Sequence, residues 1–388
     1  MNNFSFHNPT RLHFGQGQIA QIGNEIPPTA RVLLLYGGGS IKRNGVYDQV
    51  IAALAGRTVV EFAGIPANPE FDTLMQAVEL GKQERVDWVL GVGGGSVLDG
   101  SKFIAAALAL DPDIDPWLII GNKTPLKSAL PIGCVLTLPA TGSEANFAAV
   151  VTRRETQDKL SFKNPVVFPR FSVLDPSVIS TLPPRQLGNG LVDAFVHTTE
   201  QYLTFPNEAR VQDRLAEGIL STLVEIAPTL LADQSDYAAQ ANLMWAADQA
   251  MYGLVPLGQP LDWATHAIGH ELTALYGLDH AQTLAIALPN LLDYTFETKR
   301  AKLAQYGRRV WGLAGDDDGA VARAAIVATR RFFESVGVKT RLADYGITDA
   351  TAAADGVEAQ LNRHKRLALG EHGTLTPSDC RAIVLAAA

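Results

Sequence analysis

Two short apolar runs, Val32–Tyr36 and Asp87–Val92, each lead into three glycines and a serine, Gly37-Gly38-Gly39-Ser40 and Gly93-Gly94-Gly95-Ser96. A run that stops on such a cluster reads as a buried strand entering a helix start, where bare backbone N–H groups can approach an anion and the helix dipole adds positive potential. Two more strands are expected at Thr58–Phe62, ending near Asn68-Pro69, and at Ile132–Leu138, closed by Pro139, with an apolar helix over Val97–Leu110. Strands alternating with helical stretches specify a parallel sheet covered by helices, an α/β architecture.

The texture changes after Asp175-Pro176. Thr181-Leu182-Pro183-Pro184 combines a capping residue with prolines suited to a first helical turn. From Arg185 onward Ala-, Leu- and Gln-rich stretches with apolar spacings of three and four dominate, and β-branched runs nearly vanish. A chain of 388 residues exceeds one ordinary core. The expected organisation is an α/β nucleotide-binding domain over residues 1–182 and an α-helical domain over 183–388.

Several partner classes are set aside by composition. With 32 Lys plus Arg against 40 Asp plus Glu, a formal charge of −8 and no basic run, nucleic acid is not an expected partner. Only Cys134 and Cys380 are present, too few for a disulfide framework, so a reducing compartment fits. The N-terminus lacks a signal-peptide pattern and no apolar run reaches bilayer length, which points to a cytoplasmic protein with no membrane partner.

Neither glycine loop is the dinucleotide fingerprint G-x-G-x-x-G, because its sixth position is Lys42 in one and Leu98 in the other. Each could be only a tight turn; two in one half favour phosphate binding. After the second loop, Ser96, Asp99 and Lys102 follow at i, i+3 and i+6 and can face one ligand, although Asp99 reads equally well as a favourable carboxylate in a helix's first turn. The tip of the first strand carries no acidic residue for a ribose 2′-hydroxyl, and Lys42 and Arg43 lie just beyond it. That favours NADP(H) over NAD(H).

Five groups form a second constellation: Asp193 and His197, His266 and His270, each pair at i, i+4, then His280 ten residues on. Four-residue spacing puts two side chains on one helical face. Any one histidine is more readily a hydrogen-bonded core residue, but the set in apolar surroundings points to a metal. Imidazoles with a carboxylate suit Zn²⁺ or Fe²⁺ and are too nitrogen-rich for Mg²⁺ or Ca²⁺. A metallopeptidase is excluded because Ala267 and Gly269 occupy the places where a general-base glutamate belongs, leaving Glu271 outside the motif.

These residues resemble the iron-containing, or group III, alcohol dehydrogenases, and within them the NADPH-dependent aldehyde reductase branch. The resemblance spans essentially the whole chain. It is carried by Asn8–Gly15, Gly93–Lys102, Leu138-Pro-Ala-Thr-Gly-Ser-Glu144, Asp193-Ala-Phe-Val-His197, Asp262–Glu271 and Gly277–Ala281. It implies a dehydroquinate synthase-like fold, one divalent metal on Asp193, His197, His266 and His280, and a nicotinamide cofactor in the cleft between domains. It also implies cofactor contacts by Gly37, Gly38, Ser40, Asn68, Gly94, Gly95, Ser96, Asp99, Thr137, Thr141 and Lys159, with Lys163 the competitor for the last.

The expected chemistry is hydride transfer between NADP(H) and a small aldehyde or primary alcohol, with Fe²⁺ or Zn²⁺ as Lewis acid and a metal-linked water or His270 as proton relay. Phe147, Leu254, Leu257 and Trp263 are candidate pocket lining or plain core. Glycerol dehydrogenase-like or dehydroquinate synthase-like enzymes are the nearest rivals; the latter must grip a substrate phosphate, yet residues 190–204 and 251–290 hold almost no Lys or Arg. A nucleotide sensor is a further rival. A homodimer is the commonest assembly for such an enzyme.

Overall fold

The computed structural model describes every residue from Met1 to Ala388. One compact unit comprises His7–Leu182 with Gln234–Asp248. Its strands are β1 (Arg11–Phe14), β2 (Arg31–Tyr36), β3 (Thr58–Phe62), β4 (Trp88–Gly94), β5 (Ile132–Leu138), β6 (Ala148–Arg153), β7 (Asp158–Lys163) and β8 (Phe171–Leu174). Its helices are α1 (Ile22–Glu25), α2 (Ser40–Arg43), α3 (Val46–Ala53), α4 (Phe71–Gln83) and α5 (Gly95–Leu108). Six strands form one sheet in the order β1-β8-β5-β4-β2-β3, and every neighbouring pair is parallel. Val32–Leu35 in β2 are wholly buried, as expected for a strand covered on both faces.

Parallel pairing brings the carboxyl ends of neighbouring β2, β4 and β5 to one edge, and with them the segments Gly37–Ser40, Gly94–Ser96 and Thr137–Ser143. Ligands of open α/β sheets bind at that edge. The sequence expectation misses β1 and β8, four residues each, and the antiparallel hairpin β6–β7. The four-residue runs carry little periodicity of their own, and β1 pairs with a strand far away in sequence, Arg11 with Phe171.

The other unit comprises Met1–Phe6, Pro183–Asp233 and Gln249–Ala388. It holds α6 (Pro184–Tyr202), α7 (Arg210–Ala232), the end of α8 (Tyr237–Met251), α9 (Ala264–Tyr276), α10 (His280–Tyr294), α11 (Phe296–Arg309), α12 (Asp318–Ser335), α13 (Ala350–Arg363) and α14 (Pro377–Leu385). Its one β feature is an isolated bridge between Leu369 and Leu375. Caps explain several starts. In α14, Thr376 and Asp379 form a capping box and Pro377 occupies the first turn.

Two segments fall outside a single division at 182/183. Gln234 donates from Nε2 to the Leu182 carbonyl at 2.8 Å, and the Trp245 ring meets Phe14 edge-on at 5.5 Å, which ties 234–248 to the α/β unit. At the other end, Asn2 N–H donates to the Gly258 carbonyl at 2.9 Å, and the Phe6 ring lies 6.0 Å from Tyr252.

By length and composition alone α7 could cross a bilayer, a property that scanning for long apolar runs misses. Its charges are instead engaged within the helical unit. Glu217 accepts from Tyr202 Oη at 2.8 Å and Arg309 at 2.9 Å, and Lys302 donates to Asp213 at 2.6 Å. That is the surface of a helix packed among helices.

Close packing in the sheet is testable at Gly133, where an added Cβ would lie 2.4 Å from Phe171 Cζ on β8. Gly133→Ala is expected to destabilise the chain by about 1–3 kcal/mol through overpacking. Chemical denaturation of the variant beside the parent measures this; an unchanged midpoint refutes it.

Candidate metal centre and cofactor loops

Asp193 and His197 stand one turn apart on α6, with Asp193 only 3% exposed. His266 and His270 stand one turn apart on α9, and His280 is the first residue of α10. Donor atoms of Asp193, His266 and His280 all lie within 4.8 Å of one another. His197 joins them: its Nδ1 is 3.5 Å from Asp193 Oδ1, and its ring stacks on His266 at 4.6 Å. His280 Nε2 is 3.8 Å from the same Asp193 oxygen.

The donor set fits a divalent ion. Asp193 Oδ1 is buried and accepts no hydrogen bond, and a buried carboxylate oxygen in that state is costly unless a cation meets it. Imidazoles around one carboxylate match the preferences of Zn²⁺ or Fe²⁺. His270 stands at the margin, its ring 5.2 Å from His280 and 6.1 Å from His266.

Neighbouring residues that sequence spacing does not reveal hold these groups. Glu200 Oε1 accepts from the Thr265 N–H at 2.7 Å and the His266 N–H at 3.3 Å, so a carboxylate on α6 caps the first turn of α9. Its Oε2 pairs with His266 Nδ1, which fixes the ring and leaves Nε2 as the donor toward the cluster. Burial, with the nearby Asp262 carboxylate, raises the Glu200 carboxyl to about 8. Asp279, just before His280, accepts from Arg185 Nε and Asn189 Nδ2, both at 2.7 Å, and so docks the start of α10 onto α6. Trp263 precedes α9 in the left-handed region at φ 58°, with its indole 5.2 Å from His266 and 6.2 Å from His197. Phe147 instead pairs with Phe168 at 5.0 Å in the α/β unit, and Leu254 and Leu257 are half-buried.

At the strand tips Gly39 is left-handed at φ 84° before Ser40 opens α2. Gly95 opens α5, and a Cβ there would lie 2.4 Å from Thr141 Oγ1, so this approach admits only glycine. Asn68, left-handed at φ 56°, donates its N–H to Ser96 Oγ at 3.2 Å and accepts from Lys159 Nζ at 2.9 Å. Lys159 on β7 is therefore the lysine beside the Asn68–Ser96 pair, whereas Lys163 is exposed. Asp99 has both oxygens engaged, by Ser143 Oγ at 2.6 Å and the Val150 N–H at 2.9 Å. Thr137 is the penultimate residue of β5, and Gly37 and Gly38 follow β2. An acidic residue does lie near the first tip: Glu61 on β3 accepts from Tyr36 Oη at 2.8 Å and Tyr47 Oη at 2.5 Å, with Lys42 at 3.4 Å.

Glu144 is fully buried with neither carboxylate oxygen hydrogen-bonded. Burial first, and the Asp248 carboxylate next, raise it to about 8 from an ordinary 4.5. Between those values the folded chain holds a proton that the unfolded chain has lost, so stability falls as pH rises through the window. Glu144→Gln carries no such charge. The variant is expected to match the parent near pH 5 and exceed its melting temperature by several degrees at pH 8; a constant difference across that range refutes the assignment.

Residues 9–176 match the family of iron-containing alcohol dehydrogenases, and residues 189–387 match the C-terminal family of Fe-containing alcohol dehydrogenases. The chain belongs to the iron-containing alcohol dehydrogenase family, a class of metal- and nicotinamide-dependent oxidoreductases acting on alcohols and aldehydes. It is 54% identical to the NADPH-dependent aldehyde reductase YqhD of Escherichia coli K12 over 100% of both chains. It is 40% identical to a probable NADH-dependent butanol dehydrogenase of Bacillus subtilis, again over 100% of both. Among solved structures, E. coli YqhD superposes with a TM-score of 0.97 at 53% identity, covering 100% of this chain and 99% of that one. Butanol dehydrogenase A of Thermotoga maritima gives 0.95 at 38% identity, with the same coverage.

Proposed function

We propose that this chain reduces small aldehydes to primary alcohols, and reverses the reaction, by hydride transfer with NADPH, using one Fe²⁺ or Zn²⁺ ion held by Asp193, His197, His266 and His280. The observation that carries the proposal is the convergence of these four groups around a buried carboxylate oxygen that accepts no hydrogen bond. When bound, the ion supplies Lewis-acid stabilisation of the charge that builds on the carbonyl oxygen during hydride transfer.

The protein's own groups do the rest. Asp193 brings the compensating negative charge, Glu200 holds the His266 tautomer, and Trp263 supplies an apolar wall beside two of the imidazoles. On the α/β side, the N–H groups of Gly94, Gly95 and Ser96 at the start of α5 suit a diphosphate. Asp99 lies in the early turns of α5 and Thr137 and Thr141 flank the end of β5, with Asn68 hydrogen-bonded to Ser96 and Lys159. Gly37, Gly38 and Ser40 leave room for adenosine, with Arg43 available to a 2′-phosphate and Lys42 beside it on Glu61. NADPH is favoured over NADH by the absence of an acidic residue at the β2 tip, by the engagement of Glu61 with two phenols and a lysine, and by the cofactor named for the 54%-identical relative. The active assembly is a homodimer in the reducing cytoplasm, where its two buried thiols stay free.

NADPH oxidation over a panel of short aldehydes tests the assignment: turnover with several of them is expected, lost on exhaustive chelation and restored by Zn²⁺ or Fe²⁺. Undiminished turnover by metal-free protein would falsify it.

An imidazole proton of His270 is the proposed source for the product alkoxide, since this ring stands next to His280 and His266. His270→Ala is expected to lower kcat by about 10²-fold or more and to alter its pH profile. A parental rate at every pH rules His270 out.

A further inference from the structure

Lys299, on α11, is almost completely buried, and its ammonium meets three acceptors. Nζ donates to the Leu203 carbonyl at 2.6 Å, Asp262 Oδ2 at 2.8 Å and Glu371 Oε1 at 2.7 Å. Three N–H groups against three oxygens use the full donor capacity of an ammonium, and burying a charge is tolerable only when it is paired this completely.

The partners lie at the ends of the helices that carry the metal donors. Leu203 is the C-cap of α6, which bears Asp193, His197 and Glu200, and a cation beside a helix C-terminus is favourable. Asp262 caps the other helix: its Oδ1 accepts from the Ala264 N–H at 2.8 Å at the start of α9, which bears His266 and His270. Asp262 also donates its own N–H to the Glu200 carbonyl at 3.1 Å. Lys299 itself touches none of the donor residues.

We propose that Lys299 is a positioning residue for the metal centre, its ammonium joining the C-terminus of α6 to the capped N-terminus of α9 and so fixing the separation of Asp193 and His197 from His266. Glu371 completes the neutralisation from the loop around the Leu369–Leu375 bridge. Without the cation, Asp262 and Glu371 face each other as buried carboxylates, and the end of α6 loses its tie to α9. Metal donors must be held to within about half an ångström to bind well.

The inference rests on the metal reading above, and the test separates the two. Lys299→Met and Asp262→Asn are prepared as full-length chains, the second keeping an oxygen to cap Ala264 while removing the charge that meets Lys299. Each is stripped of metal and titrated with Zn²⁺ against a chromogenic chelator. The visible spectrum of the Co²⁺-loaded protein is recorded, and NADPH affinity is followed by fluorescence. The expected result is NADPH affinity within twofold of the parent, Zn²⁺ affinity lowered at least tenfold and a changed Co²⁺ spectrum. Should Lys299→Met not fold, Asp262→Asn decides by the same readouts. Parental Zn²⁺ affinity and Co²⁺ spectrum in a variant that binds NADPH normally overturn the role of Lys299 alone; a parent chain that takes up neither ion overturns the metal reading and this inference with it.

Discussion

The helical half depends on one buried carboxylate. Glu200 lies on α6 one turn beyond His197, yet its oxygens are spent on α9, one on the N–H groups of Thr265 and His266 and the other on the His266 ring. A helix start leaves N–H groups without partners, and a buried carboxylate needs donors. Each demand satisfies the other, and the two helices that bear most of the proposed metal donors become one object. Asp279, bound by Arg185 and Asn189, does the same for α10. The cluster is thus organised by contacts between helix ends, with the imidazoles placed as a consequence.

The α/β half works by removing atoms. Its loops come close because Gly95 carries no side chain where Thr141 would collide with one, and β5 lies against β8 because Gly133 leaves room for Phe171. Polar groups left inside are then answered locally: Lys102 donates to Ser143, Asn146 and the Ala148 carbonyl, and Asp99 accepts from Ser143 and Val150. Lys102 and Asp99, which spacing alone suggests could face a ligand, are therefore also the frame of the loop.

Much of the site can be read in the sequence because it is written in local spacing. Asp193 with His197 and His266 with His270 announce one face of a helix each, and the two Gly-Gly-Gly-Ser segments announce strand-to-helix turns. Groups whose work lies across helices give no such signal. Glu200, Asp262 and Lys299 look like ordinary charges on helical stretches until the packing brings α6, α9 and α11 together. Lys159 is ambiguous with Lys163 in sequence because which of them meets Asn68, 91 residues away, is decided by tertiary packing of β7. Two i, i+4 pairs and His280 make five candidates by spacing; the tertiary contacts add that Glu200 clasps His266 while the His270 ring stands 6.1 Å from it.

Trp263 shows what the chain tolerates for that arrangement. Its backbone is left-handed, at φ 58°, a conformation that costs a residue with a side chain about 1–2 kcal/mol and glycine almost nothing. Selection for stability alone would favour glycine here. Keeping the indole sets that strain against the ring's contacts: a chain with glycine at 263 would have a more relaxed backbone and lose the edge-on contacts to His197 and His266.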